Sequence, residues 1–283
     1  MLLLLLLVLT SCADPSSPPA SPASPQRIVS LTPALTEILF ALDLGDRVVG
    51  VTEYCDRPPE ARSRPKVGGY SNPSVEAVLA LKPDLIAVSP GPGNRDAVQA
   101  MNRAGSTIAI VPAEDLDETL RAIETVASAA GVPERGRRLV ASIRERIDEV
   151  SRRVAGTPRV RTLFSVQVDP YIVAAGRGTL PSQIVEAAGG INVVEASRYP
   201  RLGIESVVQL APAVVLQSKM DVAQGDGSAE RAAWMRWTSI PAVANGRIVV
   251  LPDDASLRPG PRVADAIEQI AAILHPETAG GRE

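Results

Sequence analysis

One stretch of this chain is written twice, and the repetition limits the folds open to it. Val75-Glu76-Ala77-Val78-Leu79-Ala80-Leu81-Lys82-Pro83-Asp84-Leu85-Ile86-Ala87-Val88 returns as Ile204-Glu205-Ser206-Val207-Val208-Gln209-Leu210-Ala211-Pro212-Ala213-Val214-Val215-Leu216. In both copies a Glu follows an apolar residue, a Leu stands five positions after the Glu, and a Pro stands seven after it. Apolar residues at helical spacing, then a proline, then a β-branched run predict a short helix, a stop and a buried strand. A unit that recurs 129 residues later predicts two related lobes, each with one glutamate near the start of the corresponding helix.

The 283 residues suit about two domains. With 45% hydrophobic and 22% charged residues the chain can bury a core, and a net charge of −3 argues against a nucleic-acid partner. Leu2–Leu9 is an apolar run too short for a bilayer span, which needs roughly 20 residues, and suits the core of an export signal. The run ends in Leu9-Thr10-Ser11-Cys12, which resembles a bacterial lipobox with Cys12 as the lipidated residue. Ala13–Gln26, nearly all Asp, Pro, Ser and Ala, reads as a semi-extended tether. The expected organisation is therefore a signal over 1–11, a lipidated and Pro/Ser-rich tether over 12–26, a lobe over 27–132, a linking helix over 133–156 and a second lobe over 157–283. Cys55 is then the one body cysteine, excluding a disulfide framework, and is expected near the surface or in a cleft.

Strand and helix patterns alternate through both lobes: Arg27–Leu31, Ile38–Leu42, Val48–Val51, Thr107–Val111 and Leu116–Ala130 in the first, Val160–Val168, Ile184, Asn192–Val194, Arg247–Leu251 and Arg262–Leu274 in the second. The fold class is therefore α/β, two Rossmann-like lobes with parallel sheets. Between them Leu139, Val140, Ile143, Ile147, Val150 and Val154 mark one face of a rigid amphipathic helix about 30 Å long.

In open α/β sheets ligands bind beyond the carboxyl ends of the strands. Tyr54, Tyr70, Tyr171 and Tyr199 all fall in loops of that kind, two per lobe, and are expected to line a shared cleft with apolar faces and polar tips. The loop Asp253–Arg262 leaves the last strand and opens the last helix, so Asp254, Ser256, Leu257 and Arg258 are candidates on the same cleft. No Ser/His/Asp set or His/Cys metal cluster can be assembled, and the single histidine, His275, falls past the last predicted helix and is expected in solvent. Glu76 and Glu205 admit two readings: each complements the positive end of its helix, or the pair engages arginines on a two-subunit partner.

Arg27-Ile28-Val29-Ser30-Leu31-Thr32-Pro33-Ala34-Leu35-Thr36-Glu37, Val49-Gly50-Val51-Thr52-Glu53-Tyr54-Cys55-Asp56-Arg57-Pro58-Pro59-Glu60-Ala61 and Leu81-Lys82-Pro83-Asp84-Leu85 resemble the periplasmic vitamin B12-binding proteins. More broadly they resemble the helical-backbone class of ABC-transporter solute-binding proteins, which also take ferric siderophores and haem. The likeness covers about residues 27–275. It implies a lipid-anchored receptor in the periplasm or on the outer face of the cytoplasmic membrane, monomeric and without catalytic residues or a resident cofactor. Such a receptor captures cobalamin or another corrinoid and delivers it to a permease dimer. It also implies docking on permease arginines through Glu76 and Glu205, and ligand contacts at Tyr54, Tyr70 and the Asp254–Arg258 loop, which here lacks the aromatic residues of the B12 pattern. A ferric siderophore or haem is the second ligand reading. An exported lipoprotein hydrolase using carboxylates alone is a third reading, from a different class.

Overall fold

The structure is a computed structural model and describes residues 24–91, 93–219 and 226–278. The expected signal over 1–11, the lipidation site Cys12 and most of the tether lie outside the described residues.

The first lobe runs β1 (Ile28–Ser30), α1 (Pro33–Ala41), β2 (Val48–Val51), α2 (Val75–Ala80), β3 (Leu85–Val88), α3 (Arg95–Arg103), β4 (Ile108–Ile110) and α4 (Leu116–Ala129). Its sheet has the order β2-β1-β3-β4, parallel throughout. The helix α5 (Pro133–Val154) leads to β5 (Val160–Gln167), β6 (Ile172–Ala174), α6 (Leu180–Ala187), β7 (Gly190–Asn192), β8 (Arg201–Leu202), α7 (Ile204–Leu210), β9 (Val214–Gln217), α8 (Ser228–Met235), α9 (Pro241–Ala244), β10 (Ile248–Val250) and α10 (Val263–Leu274). The parallel strands β7, β5, β9 and β10 repeat the order of the first sheet, β5 taking the place of β1 and β9 that of β3. The α/β two-lobe expectation therefore holds, with one correction. The second sheet is mixed, because β6 pairs antiparallel with the far half of β5, and β8 pairs antiparallel with β6. The few residues between β5 and β6 are too short for a parallel crossover, so the chain can only fold straight back.

The twice-written unit forms α2–β3 and α7–β9. Both helices stop in the same way: Lys82 (φ 48°) and Ala211 (φ 44°) turn left-handed immediately before their prolines. Each helix end is also capped from the neighbouring strand. Arg27 Nη2 donates to Leu81 O at 2.7 Å, and Arg161 Nη2 donates to Leu210 O at 2.5 Å. A cation on the last carbonyls satisfies orphan acceptors and opposes the negative end of the helix dipole.

The core is continuous between the lobes. Val140, Ile143, Val150 and Val154 of α5 belong to one buried cluster with Ile123 and Val126 of α4 and Ile267, Ile270 and Leu274 of α10. Gly136 allows the α4 crossing, since a Cβ there would lie 2.5 Å from Ala127 Cβ. Arg146 ties the other flank of α5 to α10 through Glu268 at 2.9 Å and Asp265 at 2.5 Å. The linking helix is thus a structural member of both lobes.

Two local expectations are corrected, and one element is new. Cys55 is buried, 1% exposed, with the Thr36 and Thr52 hydroxyls each 3.1 Å from its Sγ, because the chain turns inward after β2. His275 is likewise 1% exposed; it is the C-cap of α10, and its Nε2 lies 3.2 Å from Gly189 O in the α6–β7 turn. Residues 228–235, without an assigned element in the sequence, form α8 and bury Trp234, whose Nε1 donates to Gln217 Oε1 at 2.9 Å.

A left-handed alanine costs roughly 1–2 kcal/mol relative to glycine. Ala211→Gly is therefore expected to raise stability by about 1 kcal/mol, the relief of strain outweighing the freer unfolded chain. Thermal melts of the two proteins check this, and an unchanged or lower Tm would show that the strain is not there.

Candidate functional site

The central strands β1 and β3 stand side by side, yet their connections leave to opposite sides, α1 toward β2 and α3 toward β4. A crevice opens at such a switch point, beyond the carboxyl ends of the strands. Here it is a cleft of about 450 Å³ between the lobes. Thr32, Pro33 and Ala34 after β1, Ser89 and Pro90 after β3, and Pro112, Ala113 and Glu114 after β4 form one wall, joined by Tyr70. Lys219 after β9 and Asp254, Leu257, Arg258 and Pro259 after β10 form the facing wall. A neighbouring recess of about 190 Å³ shares Ala113, Glu114, Leu257 and Pro259 and adds Thr179, Leu180, Arg198 and Tyr199.

The floor of the cleft is held by hydrogen bonds. Thr32 Oγ1 and Ser89 Oγ are 3.5 Å apart. Buried Asn94 donates from Nδ2 to Ser89 O at 3.0 Å and accepts from Gly91 N at 3.1 Å. Tyr70 donates its phenol proton to Pro90 O at 3.0 Å, and burial pushes its pKa up, so the neutral phenol is favoured. A Cβ at Gly91 would lie 2.6 Å from the Tyr70 hydroxyl, so the glycine gives that ring its place. At the recess Glu114 meets Arg198 at 2.8 Å, and burial raises the Tyr199 pKa against the opposing pull of Arg198.

Behind the facing wall lies an ion-pair network that joins the lobes. Glu37, from the middle of α1, is only 5% exposed. Its Oε2 accepts from Arg262 Nε at 2.7 Å, and its Oε1 accepts from Arg262 Nη2 at 3.0 Å and Arg258 Nη1 at 2.8 Å. Asp254 bridges both arginines, with Arg262 Nη2 at 2.8 Å. Asp56 of the first lobe accepts from Arg258 at 2.8 Å, and Asp253 stands 3.3 Å from Arg262. Removing a carboxylate from water costs several kcal/mol, which only well-placed partners offset. The two guanidiniums are such partners for Glu37, and the bidentate Arg262 fork is the strong form of that pairing. For both arginines burial works to lower the pKa, but hydrogen bonds to the carboxylates outweigh it and raise it.

The sequence candidates distribute unevenly. Tyr70, Tyr199, Asp254, Leu257 and Arg258 line the cleft or its recess. Tyr54 is 64% exposed and outside these linings, near Gly69 in the loop that carries Tyr70. Tyr171 is not brought to the cleft: the antiparallel return sets it beside Arg201, whose Cζ lies 4.1 Å from the ring centroid and whose Nη2 donates to the phenol oxygen at 3.2 Å. Ser256 is buried beneath the loop surface, and its Oγ has no hydrogen-bond partner among the described residues. Arg262, at the end of the same loop, lies outside the cleft and its recess and braces α1 through Glu37. Thr32, Ser89, Glu114 and Lys219 join the lining without having been sequence candidates, although each follows a predicted strand and that position is the signal that marks them. Glu76 and Glu205 are exposed in the first turns of α2 and α7, and neither forms an ion pair among the described residues.

Residues 28–255 match the periplasmic binding protein family. The chain is 32% identical over 252 residues to a vitamin B12-binding protein of Vibrio cholerae serotype O1, covering 88% of this chain and 89% of that protein. It is 30% identical over 263 residues to an uncharacterized ABC transporter substrate-binding lipoprotein of Bacillus subtilis, covering 90% and 81%. In three dimensions it is similar to a periplasmic heme-binding protein from Roseiflexus sp. RS-1 in apo form, with a TM-score of 0.78, 29% identity and coverage of 89% and 99%.

The network carries a pH signature. Burial pulls the Asp56 pKa up, but the hydrogen bond and charge of Arg258, with smaller contributions from its own backbone amide and Arg57, together hold the carboxyl below its ordinary value. The folded state therefore favours ionised Asp56. That stabilisation is complete above the ordinary carboxyl pKa and is lost as pH falls through the lowered one. Wild type is expected to melt above Asp56→Asn at neutral pH, by no more than about 1 kcal/mol because Asp56 is partly in water. Melts taken stepwise toward acid should show the gap closing. A gap that persists at the acid end would mean that the pairing with Arg258 is not its source.

Proposed function

The chain belongs to the periplasmic binding protein family, and from that premise we propose that it captures cobalamin or a related corrinoid in the interlobe cleft and delivers it to an ABC permease. The observation that carries this reading is the cleft itself: a preformed space at the switch point, within the roughly 300–1,000 Å³ usual for small-molecule sites, walled by both lobes. The similarity to a vitamin B12-binding protein over most of both chains supports the choice of ligand.

In this reading Pro33, Leu257 and Pro259 meet the flat faces of the macrocycle, and Thr32, Ser89 and Tyr70 meet its polar side chains. Tyr54 and Tyr199 stand at the rim, where a ligand larger than the cleft extends. Asp254 and Arg258 present already-paired groups, so the contact surface exists before the ligand arrives. Binding and release change no covalent bond of the ligand. In this reading the lobes span 27–132 and 157–283, joined by the helix packed between them. Lipidation at Cys12 would hold the monomeric body at the periplasmic or outer face of a membrane, a reading supported by the lipoprotein relative. Among the described residues no helix is long and apolar enough to cross a membrane. Glu76 and Glu205, at matching points of the two lobes, are the proposed contacts to arginines of the permease dimer.

Haem is the second reading, supported by the similarity to the Roseiflexus protein. No described histidine lines the cleft, so a tyrosine would have to ligate the iron. Tyr70 is poorly disposed to do so, because its raised pKa works against a phenolate. A corrinoid can bind without any protein ligand to its metal.

Calorimetric titration of the full chain with cyanocobalamin is expected to give a 1:1 isotherm, weakened about tenfold or more by Tyr70→Ala, a loss of the size seen for buried aromatic anchors. No heat and no thermal stabilisation with cyanocobalamin, together with a hemin isotherm, would replace the first reading by the second. A response to neither would move the search to ferric siderophores.

Reversing both charges, Glu76→Arg with Glu205→Arg, is expected to leave ligand affinity within about twofold while abolishing association with the cognate permease in pull-down. Unchanged association would leave the two glutamates as complements to their helix ends.

A further inference from the structure

The wall that faces the ligand in this reading belongs to the second lobe, but what fixes it belongs to the first. Leu257 and Pro259 line both the cleft and its recess. The loop that carries them has a small internal turn, with Leu257 N and Arg258 N donating to Asp254 O at 2.9 and 3.0 Å. Beyond that turn the strongest anchors are Arg258 and Arg262. Only Pro259, Gly260 and Pro261 lie between them, and two prolines with fixed φ make that segment stiff. Both arginines close on the single carboxylate of Glu37, and Gly260 lies against Ala34 at the start of α1. Two anchors four residues apart, on a stiff segment and one buried acceptor, leave Leu257 and Pro259 little freedom. Glu37 itself does not line the cleft.

We propose that Glu37 is a positioning residue for ligand binding, setting the cleft-facing wall of the opposite lobe through Arg258 and Arg262. The proposal rests on the cleft as the ligand site. It differs from a purely structural role because the rest of the body does not depend on Glu37: the α4–α5–α10 core already joins the lobes. Without the Glu37 charge both guanidiniums keep carboxylate partners, Asp254 for both, Asp253 for Arg262 and Asp56 for Arg258. Glu37→Gln is therefore expected to fold. What it loses is every charged tie between the lobes at this loop among the described residues, except the partly exposed Asp56.

The test uses the full chain, with cyanocobalamin and hemin as separate probes and hydrogen exchange as a ligand-free readout. In Glu37→Gln, amide exchange over residues 254–259 should rise about tenfold or more while α4, α5 and α10 keep their protection. Affinity for whichever probe the wild type binds should fall about tenfold or more. Arg262→Lys, which keeps the charge but loses the fork, should shift both in the same direction, and Glu37→Asp, which keeps the carboxylate, should recover part of both. Loop exchange unchanged in both Glu37→Gln and Arg262→Lys overturns the proposal. So does protection lost evenly through the body, or a loosened loop with unaltered affinity. If the wild type binds neither probe, the cobalamin and haem readings fall, and the loop exchange alone decides whether Glu37 sets the wall.

Discussion

A carboxylate buried in one lobe and two guanidiniums supplied by the other impose a constraint that reaches through this molecule. A carboxylate as buried as Glu37 needs close polar partners to offset its lost hydration, and α1 offers no cation. The partners arrive 221 and 225 residues later in the chain. The loop after the last strand therefore has to reach back across the lobe boundary, and in doing so it forms one wall of the cleft. Structural pairing and the shape of the site have the same cause.

The shared core makes the constraint effective. If α5 were only a spacer, two lobes tied at one loop could still rock about that tie. Instead α5 packs along α4 on one side and α10 on the other, with Gly136 allowing close approach and Arg146 adding a polar clamp. With an apolar seam on one side and an ionic brace on the other, relative motion of the lobes is restricted. A site assembled from both lobes can then be largely preformed, which lowers the ordering cost of binding.

The internal repeat extends deeper than its residues suggest. The matching strand orders, the left-handed stops at Lys82 and Ala211, and the arginine caps from Arg27 and Arg161 show the same local solution used twice. What differs is the antiparallel addition of β6 and β8 in the second lobe. That addition is why Tyr171, which follows the central strand β5, is turned away from the cleft.

Local signals determined much of this protein. Apolar periodicity, prolines and the duplicated unit were sufficient for two α/β lobes, for a long helix between them, and for Tyr70, Tyr199 and the Asp254–Arg258 loop as site candidates. These features depend on neighbours within a few residues, so the linear pattern carries them. Tertiary structure alone decided the burial of Cys55 and His275, the burial of Ser256, the removal of Tyr171 from the cleft, and above all the role of Glu37 and Arg262. Each of those depends on a partner far away in the chain, and no spacing rule records which buried carboxylate a distant arginine will meet.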